Sequence, residues 1–197
     1  MNAPDSVSRR SNLDAALLAR MAPLPISSYF DAKWFEREML LLFNRGPGYV
    51  GSRMMVPELG DTMTLPWTDH GKVLVHGPNG VNLLSNTCRH RQGMLLEGRG
   101  HHQNIVCPLH RWTYDLEGKL LGAPDFDVTP ECSLPRTPLQ EWQGLLFAGP
   151  RSPAADLADF PLAVDYDFSK LAFDKVTVDE CPFNWKTFLE IFLELYH

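Results

Sequence analysis

Cys88-Arg89-His90 and Cys107-Pro108-Leu109-His110 constrain this chain more than any other feature of its sequence. Each segment offers one thiol and one imidazole at short range, and residues 91–106 separate the two. Thiolate and neutral imidazole are metal ligands, so the pattern asks for two tight loops brought face to face. A Cys2His2 zinc finger pairs its cysteines in one loop and its histidines in another, whereas here each loop is mixed. Two mixed loops facing each other place both thiolates on one metal atom and both imidazoles on a second. A structural zinc site is the alternative, because mixed ligands suit zinc too. Pro108 supplies a rigid turn beside the second thiol, and Trp112 and Tyr114 supply apolar shielding for a dry metal loop.

The division into a sulfur side and a nitrogen side is that of a Rieske-type [2Fe–2S] cluster, held by Cys88, His90, Cys107 and His110. Replacing two thiolates by neutral imidazoles raises the reduction potential above that of an all-cysteine cluster, and the chemistry is transfer of electrons one at a time. The remaining cysteines, Cys132 and Cys181, read as inert buried thiols. At 197 residues, 44% of them hydrophobic, the chain buries a core without needing a metal to fold. Its 24 acidic and 18 basic residues give a net charge of −6, with no Lys/Arg run to suggest nucleic-acid binding. No stretch approaches the ~18 uninterrupted apolar residues of a membrane span. The polar start, Met1 to Asn12, lacks the apolar region of a signal peptide. A reducing, cytoplasmic location suits the thiol ligands.

The fold class expected is α+β: a small all-β domain preceded by helices and followed by the start of a second domain. Residues 1–12 read as a tail and 13–20 as a short helix. Asp31 caps a helix through Phe43, with Phe30, Trp34, Met39, Leu40 and Phe43 as apolar anchors, and Gly46-Pro47-Gly48 ends it. From Tyr49 to about Ala148, short β-rich runs alternate with Gly, Pro, Asn and Asp, with hairpin turns at residues 76–81 and 116–119. Pro150 to Pro161 reads as a linker, Lys175 to Val178 as a strand, and Pro182 to His197 as a helix. The domain divisions are therefore 1–46, 47–150, 151–170 and 171–197. On that last helix Lys186, Glu190, Glu194 and His197 share one face, a pattern also satisfied by a solvated stripe with a Lys186–Glu190 pair. The helix meets the end of the sequence with no cap, as expected of a fragment.

Cys88-Arg89-His90-Arg91, followed by CPLHRWTYDLEGKLLGAP from Cys107 to Pro124, resembles the Rieske domain of ring-hydroxylating oxygenase large (alpha) subunits. That family usually has Gly directly after the second histidine, where this chain has Arg111, and Gly soon after the first loop, where Gln92 precedes Gly93. Respiratory-complex Rieske proteins are a poorer match, since they carry an extra, disulfide-joined cysteine in each loop, whereas Leu109 fills the second-loop position here. Asn184-Trp185-Lys186, Glu190, Glu194 and Tyr196-His197 are similar to the helix that opens the family's catalytic, helix-grip-like domain. The resemblance implies that His197 is the first ligand of a mononuclear non-haem Fe(II), whose remaining ligands lie beyond it. Glu194 is implied to be the carboxylate linking that iron to a Rieske histidine, where many members have Asp. A whole subunit of about twice this length is implied, so the polypeptide as given is expected to be inactive alone as an oxygenase. The family's partners are an NAD(P)H-dependent reductase or ferredoxin, O2 and a small organic substrate, aromatic in many members and a quaternary amine in others, with no nucleic acid and no membrane. Its assemblies are homo-oligomeric rings, here a trimer. A stand-alone Rieske ferredoxin-type electron carrier is the alternative function.

Overall fold

The computed structural model describes residues 24–160, 165 and 167–194. The expected tail, the helix at 13–20 and the candidate iron ligand His197 lie outside the described residues. The chain divides into two compact units, Leu40–Glu180 and Met1–Met39 with Cys181–His197.

In the larger unit the short apolar runs pair into three antiparallel sheets. The strands are β1 (Gly48–Ser52), β2 (Asp61–Thr64), β3 (Lys72–Gly77), β4 (Gly80–Ser85), β5 (Arg99–His101), β6 (Ile105–Val106), β7 (Thr113–Tyr114), β8 (Leu120–Gly122), β9 (Arg136–Thr137), β10 (Gln140–Trp142) and β11 (Leu145–Ala148). They are ordered β5-β2-β3-β4-β9, β6-β7-β8 and β1-β11-β10. Side chains on a strand point alternately to opposite faces, and β3 and β4 exploit this on both sides. Val73, Val75 and Leu84 enter one core with Cys88, Cys107, Trp112 and Tyr114. Leu74 and Leu83 enter the other with Val50, Met63, Leu65 and Leu146. The five-stranded sheet thus separates a structural core from the one that surrounds the thiols.

Both expected hairpin turns form. β3 and β4 pair from Lys72↔Ser85 to Gly77↔Gly80, leaving Pro78-Asn79 at the tip, and Gly80 takes φ 113°, which glycine tolerates without steric penalty. At the second turn Asp115 Oδ1 accepts from the amides of Glu117 (2.9 Å) and Lys119 (2.8 Å), while Gly118 turns left-handed at φ 85°. The Pro-rich stretch expected as a linker holds one short helix, α2 (Pro153–Asp156), started by Pro153 behind the Ser152 cap. Its predecessor, α1 (Ala32–Glu38), belongs to the smaller unit. Asp31 caps α1 as expected, accepting from the Lys33 amide at 2.9 Å, and the chain continues into a π-helical turn, Met39–Phe43.

Several expectations are corrected. Phe30, Leu40 and Phe43 are exposed, so they are not core anchors. Residues 171–181 form no strand: among the described residues none pairs with Lys175 to Val178 through the backbone. The last helix, α3 (Trp185–Leu193), is capped by Asn184 and stops at Leu193. Glu194 is extended at ψ 126°, so the polar stripe breaks before reaching it. Lys186 does not pair with Glu190. It is 6% exposed and meets Glu38 at 2.6 Å, while Glu190 accepts from the Tyr29 hydroxyl. An exposed i,i+4 pair contributes only ~0.2–0.5 kcal/mol. Burial against Tyr29 and Trp185, whose rings lie 5.4 and 5.2 Å from the ammonium, favours the tertiary partner. Glu38 also accepts from Trp185 Nε1 at 2.9 Å, so both carboxylate oxygens are used. Among the described residues no helix is long and apolar enough to cross a membrane.

Candidate metal centre

The two Cys/His segments fold into the same backbone device. In the first, the Cys88 amide donates to Gly93 O (2.8 Å) and the Gln92 amide donates to Cys88 O (3.0 Å). In the second, the Cys107 amide donates to Trp112 O (2.8 Å) and the Arg111 amide donates to Cys107 O (3.0 Å). Gln92 and Arg111 hold equivalent positions, and both are left-handed, at φ 57° and 61°. These are the positions where the resemblance expects glycine nearby. Neither departure opens its loop. The chain keeps the left-handed turn with a side chain present, at a cost of roughly 1–2 kcal/mol per residue.

The loops bring the candidate ligands together by type. Cys88 and Cys107 are 2% and 1% exposed, in the core below the loops. The imidazoles of His90 and His110 meet edge to face above them, with ring centroids 4.7 Å apart. His110 is exposed, whereas His90 is half-buried. Trp112 stacks on His90 at 5.0 Å and 10°, and Phe126 presents its edge to both rings at 6.1 and 5.4 Å. Arg89, Arg91 and Arg111, next to the ligands in sequence, are exposed, as are Asp125 and Asp127 on either side of Phe126.

A metal at the imidazole side fits one observation of this arrangement. His90 Nδ1 is buried with no hydrogen-bond partner, an arrangement that costs about 1–3 kcal/mol unless something ligates the nitrogen.

Tyr114 ties the sulfur side to the fold. Its hydroxyl accepts from the Arg89 amide at 3.0 Å and lies 3.4 Å from Cys88 Sγ. With the oxygen already accepting, its own hydrogen is left to donate to sulfur. Burial, then the contact with Cys88, pushes the phenol well above its usual pKa, so the group remains a donor. The sequence marked Tyr114 only as shielding, and it did not mark Phe126. A tyrosine seven residues after the second cysteine, on the strand leaving its loop, was the available signal.

The remaining candidates belong to neither loop. Glu194 is an exposed residue following α3, in the smaller unit. Cys132 is partly buried against the thiol-side core, but Cys181 is exposed, contrary to the expectation of a buried thiol.

The profile of the Rieske [2Fe–2S] domain matches residues 50–137. The chain is 54% identical to putrescine 2-hydroxylase of Ralstonia nicotianae, over 95% of this chain and 52% of that protein. It is 31% identical to the glycine betaine monooxygenase oxygenase subunit of Chromohalobacter salexigens, over 88% of this chain and 42% of that protein. The crystal structure of the quaternary ammonium Rieske monooxygenase CntA shares the fold, with a TM-score of 0.73 at 24% identity, over 88% of this chain and 52% of that one. The chain spans about half the length of the curated relatives it matches.

Proposed function

We propose that this chain, a member of the Rieske [2Fe–2S] oxygenase family, is the electron-accepting portion of an oxygenase subunit whose whole-length form hydroxylates a small aliphatic amine. The carrying observation is the matched pair of loops, with both thiols buried in one core and the two imidazoles in edge-to-face contact. Cys88 and Cys107 would hold one iron, and His90 and His110 the other. A [2Fe–2S] cluster in that setting takes up and gives back one electron at a time. The residues around it do the rest. Trp112 and Phe126 cover His90, Tyr114 donates toward sulfur, and exposed His110 provides the route in and out.

The amine substrate is inferred from the relatives. Putrescine, glycine betaine and carnitine name the substrates of several of them, and aromatic catabolism fits this group less well. A stand-alone carrier is disfavoured, since its relatives are oxygenase subunits and the chain continues past the Rieske match through α3. His197 is proposed as the first mononuclear iron ligand and Glu194 as the carboxylate that links it to a Rieske histidine. The partners proposed are an NAD(P)H-dependent reductase or ferredoxin, O2 and further copies of the subunit, in the cytoplasm, where thiol ligands are kept reduced.

The direct test is preparation of the chain with iron and sulfide. A brown protein that accepts one electron per chain and then gives an electron paramagnetic resonance signal is expected, and a colourless zinc protein would refute the reading. In the longer protein with reductase and O2, putrescine should yield a hydroxylated diamine. Absence of turnover with putrescine, glycine betaine and carnitine alike would sink the amine assignment. Glu194→Gln there should slow oxidation with both metals retained.

A further inference from the structure

The two loops match in their turns but not at their bases. The second is closed by a backbone ladder, with Ile105↔Tyr114 and Val106↔Thr113 paired beneath Cys107. Beneath the first, the ladder shrinks to one isolated bridge, Thr87↔Met94. The next residue down is Asn86, 1% exposed and two positions before Cys88. Its side chain completes what the backbone leaves out. Nδ2 donates to Leu96 O (2.8 Å) and Oδ1 accepts from the Leu96 amide (3.0 Å), the two-way exchange that one strand residue makes with another. Nδ2 also donates to His70 O (2.9 Å). Meanwhile the Asn86 amide donates to Gly71 O and its carbonyl accepts from the Leu95 amide.

The His70 contact matters because Asp69 and His70 are consecutive left-handed residues, at φ 50° and 55°. That turn is further tied by Thr64 Oγ1, which meets His70 Nδ1 at 3.2 Å and accepts from the Gly98 amide at 3.1 Å. One buried amide therefore fastens both ends of the first loop, residues 86 and 96, to a turn within the β2–β3 connection. We propose that Asn86 is a positioning residue for the metal centre: its amide substitutes for a missing strand pair and fixes the Cys88/His90 loop opposite its partner loop. Only Asn or Gln carries a donor and an acceptor in peptide-like geometry, and Gln is one methylene too long for this span.

The proposal rests on the cluster reading, and its test separates the two. Wild type, Asn86→Ala, Asn86→Asp and Asn82→Ala are prepared with iron and sulfide. Asn82 is a matched control: it is 2% exposed, lies on β4, and donates to Leu116 O at 3.1 Å rather than to either loop. Both Asn86 variants should keep the β-sheet circular dichroism. They should lose the cluster to a chelator at least about tenfold faster, since two buried carbonyls lose their donor. Leu96 amide exchange in Asn86→Ala should also quicken about tenfold or more. Asn82→Ala should lower the unfolding midpoint without speeding cluster loss beyond that change. Cluster loss unchanged in both Asn86 variants, acceleration equalled by Asn82→Ala, or failure of both Asn86 variants to fold would overturn the proposal. If wild type takes up no cluster, the functional reading fails, and Leu96 exchange still decides the clamp.

Discussion

Tyr114→Phe removes one oxygen from the sulfur side and leaves the ring in place. Two contacts go with it, the 3.4 Å approach to Cys88 Sγ and the 3.0 Å bond from the Arg89 amide. A hydrogen bond to a charged acceptor contributes about 1.5–3 kcal/mol. The donor favours whichever state carries more negative charge on sulfur, which is the reduced one. Only the difference between the two redox states moves the potential. If about half the bond is differential, the change is ~0.7–1.5 kcal/mol, or roughly 30–60 mV at 59 mV per tenfold. The potential of Tyr114→Phe should therefore fall by that amount, read by redox titration of the visible absorbance. The Arg89 amide, left without an acceptor, should also cost about 1 kcal/mol of folding stability. An unchanged or raised potential, with the cluster intact, would refute the donor assignment.

Gln92→Gly and Arg111→Gly should each raise the urea midpoint by the equivalent of about 0.5–1 kcal/mol, because relief of left-handed strain exceeds the added entropy of the unfolded chain. Destabilisation by either would show that its side chain has contacts outweighing the strain. His90→Cys and His110→Cys should retain a cluster at lower potential, and wild-type potentials in both would remove the imidazoles from the ligand set. The bonds from Lys186 and Trp185 hold the Glu38 carboxyl below its usual pKa. A depressed folded pKa stabilises fully above the unfolded value of ~4.3 and is lost as pH falls through the folded value. The smaller unit should therefore loosen at acid pH before the β-sheets do, by amide exchange in α3. Glu38→Gln should abolish that pH dependence and destabilise the unit by roughly 3 kcal/mol, since Lys186 stays buried without its counter-charge.

What could be read from the sequence was local. The tight turns after Cys88 and Cys107, the hairpin at residues 76–81 and the Asp31 cap each depend on residues within a few positions of one another, and each turn or cap forms. What could not be read depends on distant partners. Lys186 has an eligible acid at i+4, yet chooses Glu38, 148 residues away. Val176 and Val178 have strand propensity but, among the described residues, no strand partner, and a strand needs one. Phe30, Leu40 and Phe43 have helical spacing, yet all three remain exposed. Asn86 carried a faint signal, a buried-type amide two residues before a ligand cysteine, but its partners at 70 and 96 come together only through the sheet.

The division of the five-stranded sheet into two faces explains why one end of the metal centre is dry and the other wet. Val73, Val75 and Leu84 point toward the thiols, and buried Asn82 on the same face of β4 spends its amide on Leu116 O. A thiolate pair there sees few dipoles except those the loops supply, so a single donor such as Tyr114 has a large lever on it. The imidazoles stand at the opposite end, beyond the strands, where the loops turn over. One is roofed by Trp112 and Phe126, and the other meets solvent. Burial of both would isolate the metals from any partner, and exposure of both would let water compete for the ligands. With the sulfur end enclosed by the sheet, a cluster held by these ligands would exchange electrons by the exposed His110 edge. Arg89, Arg91 and Arg111 are exposed beside the ligands in a chain whose net charge is −6.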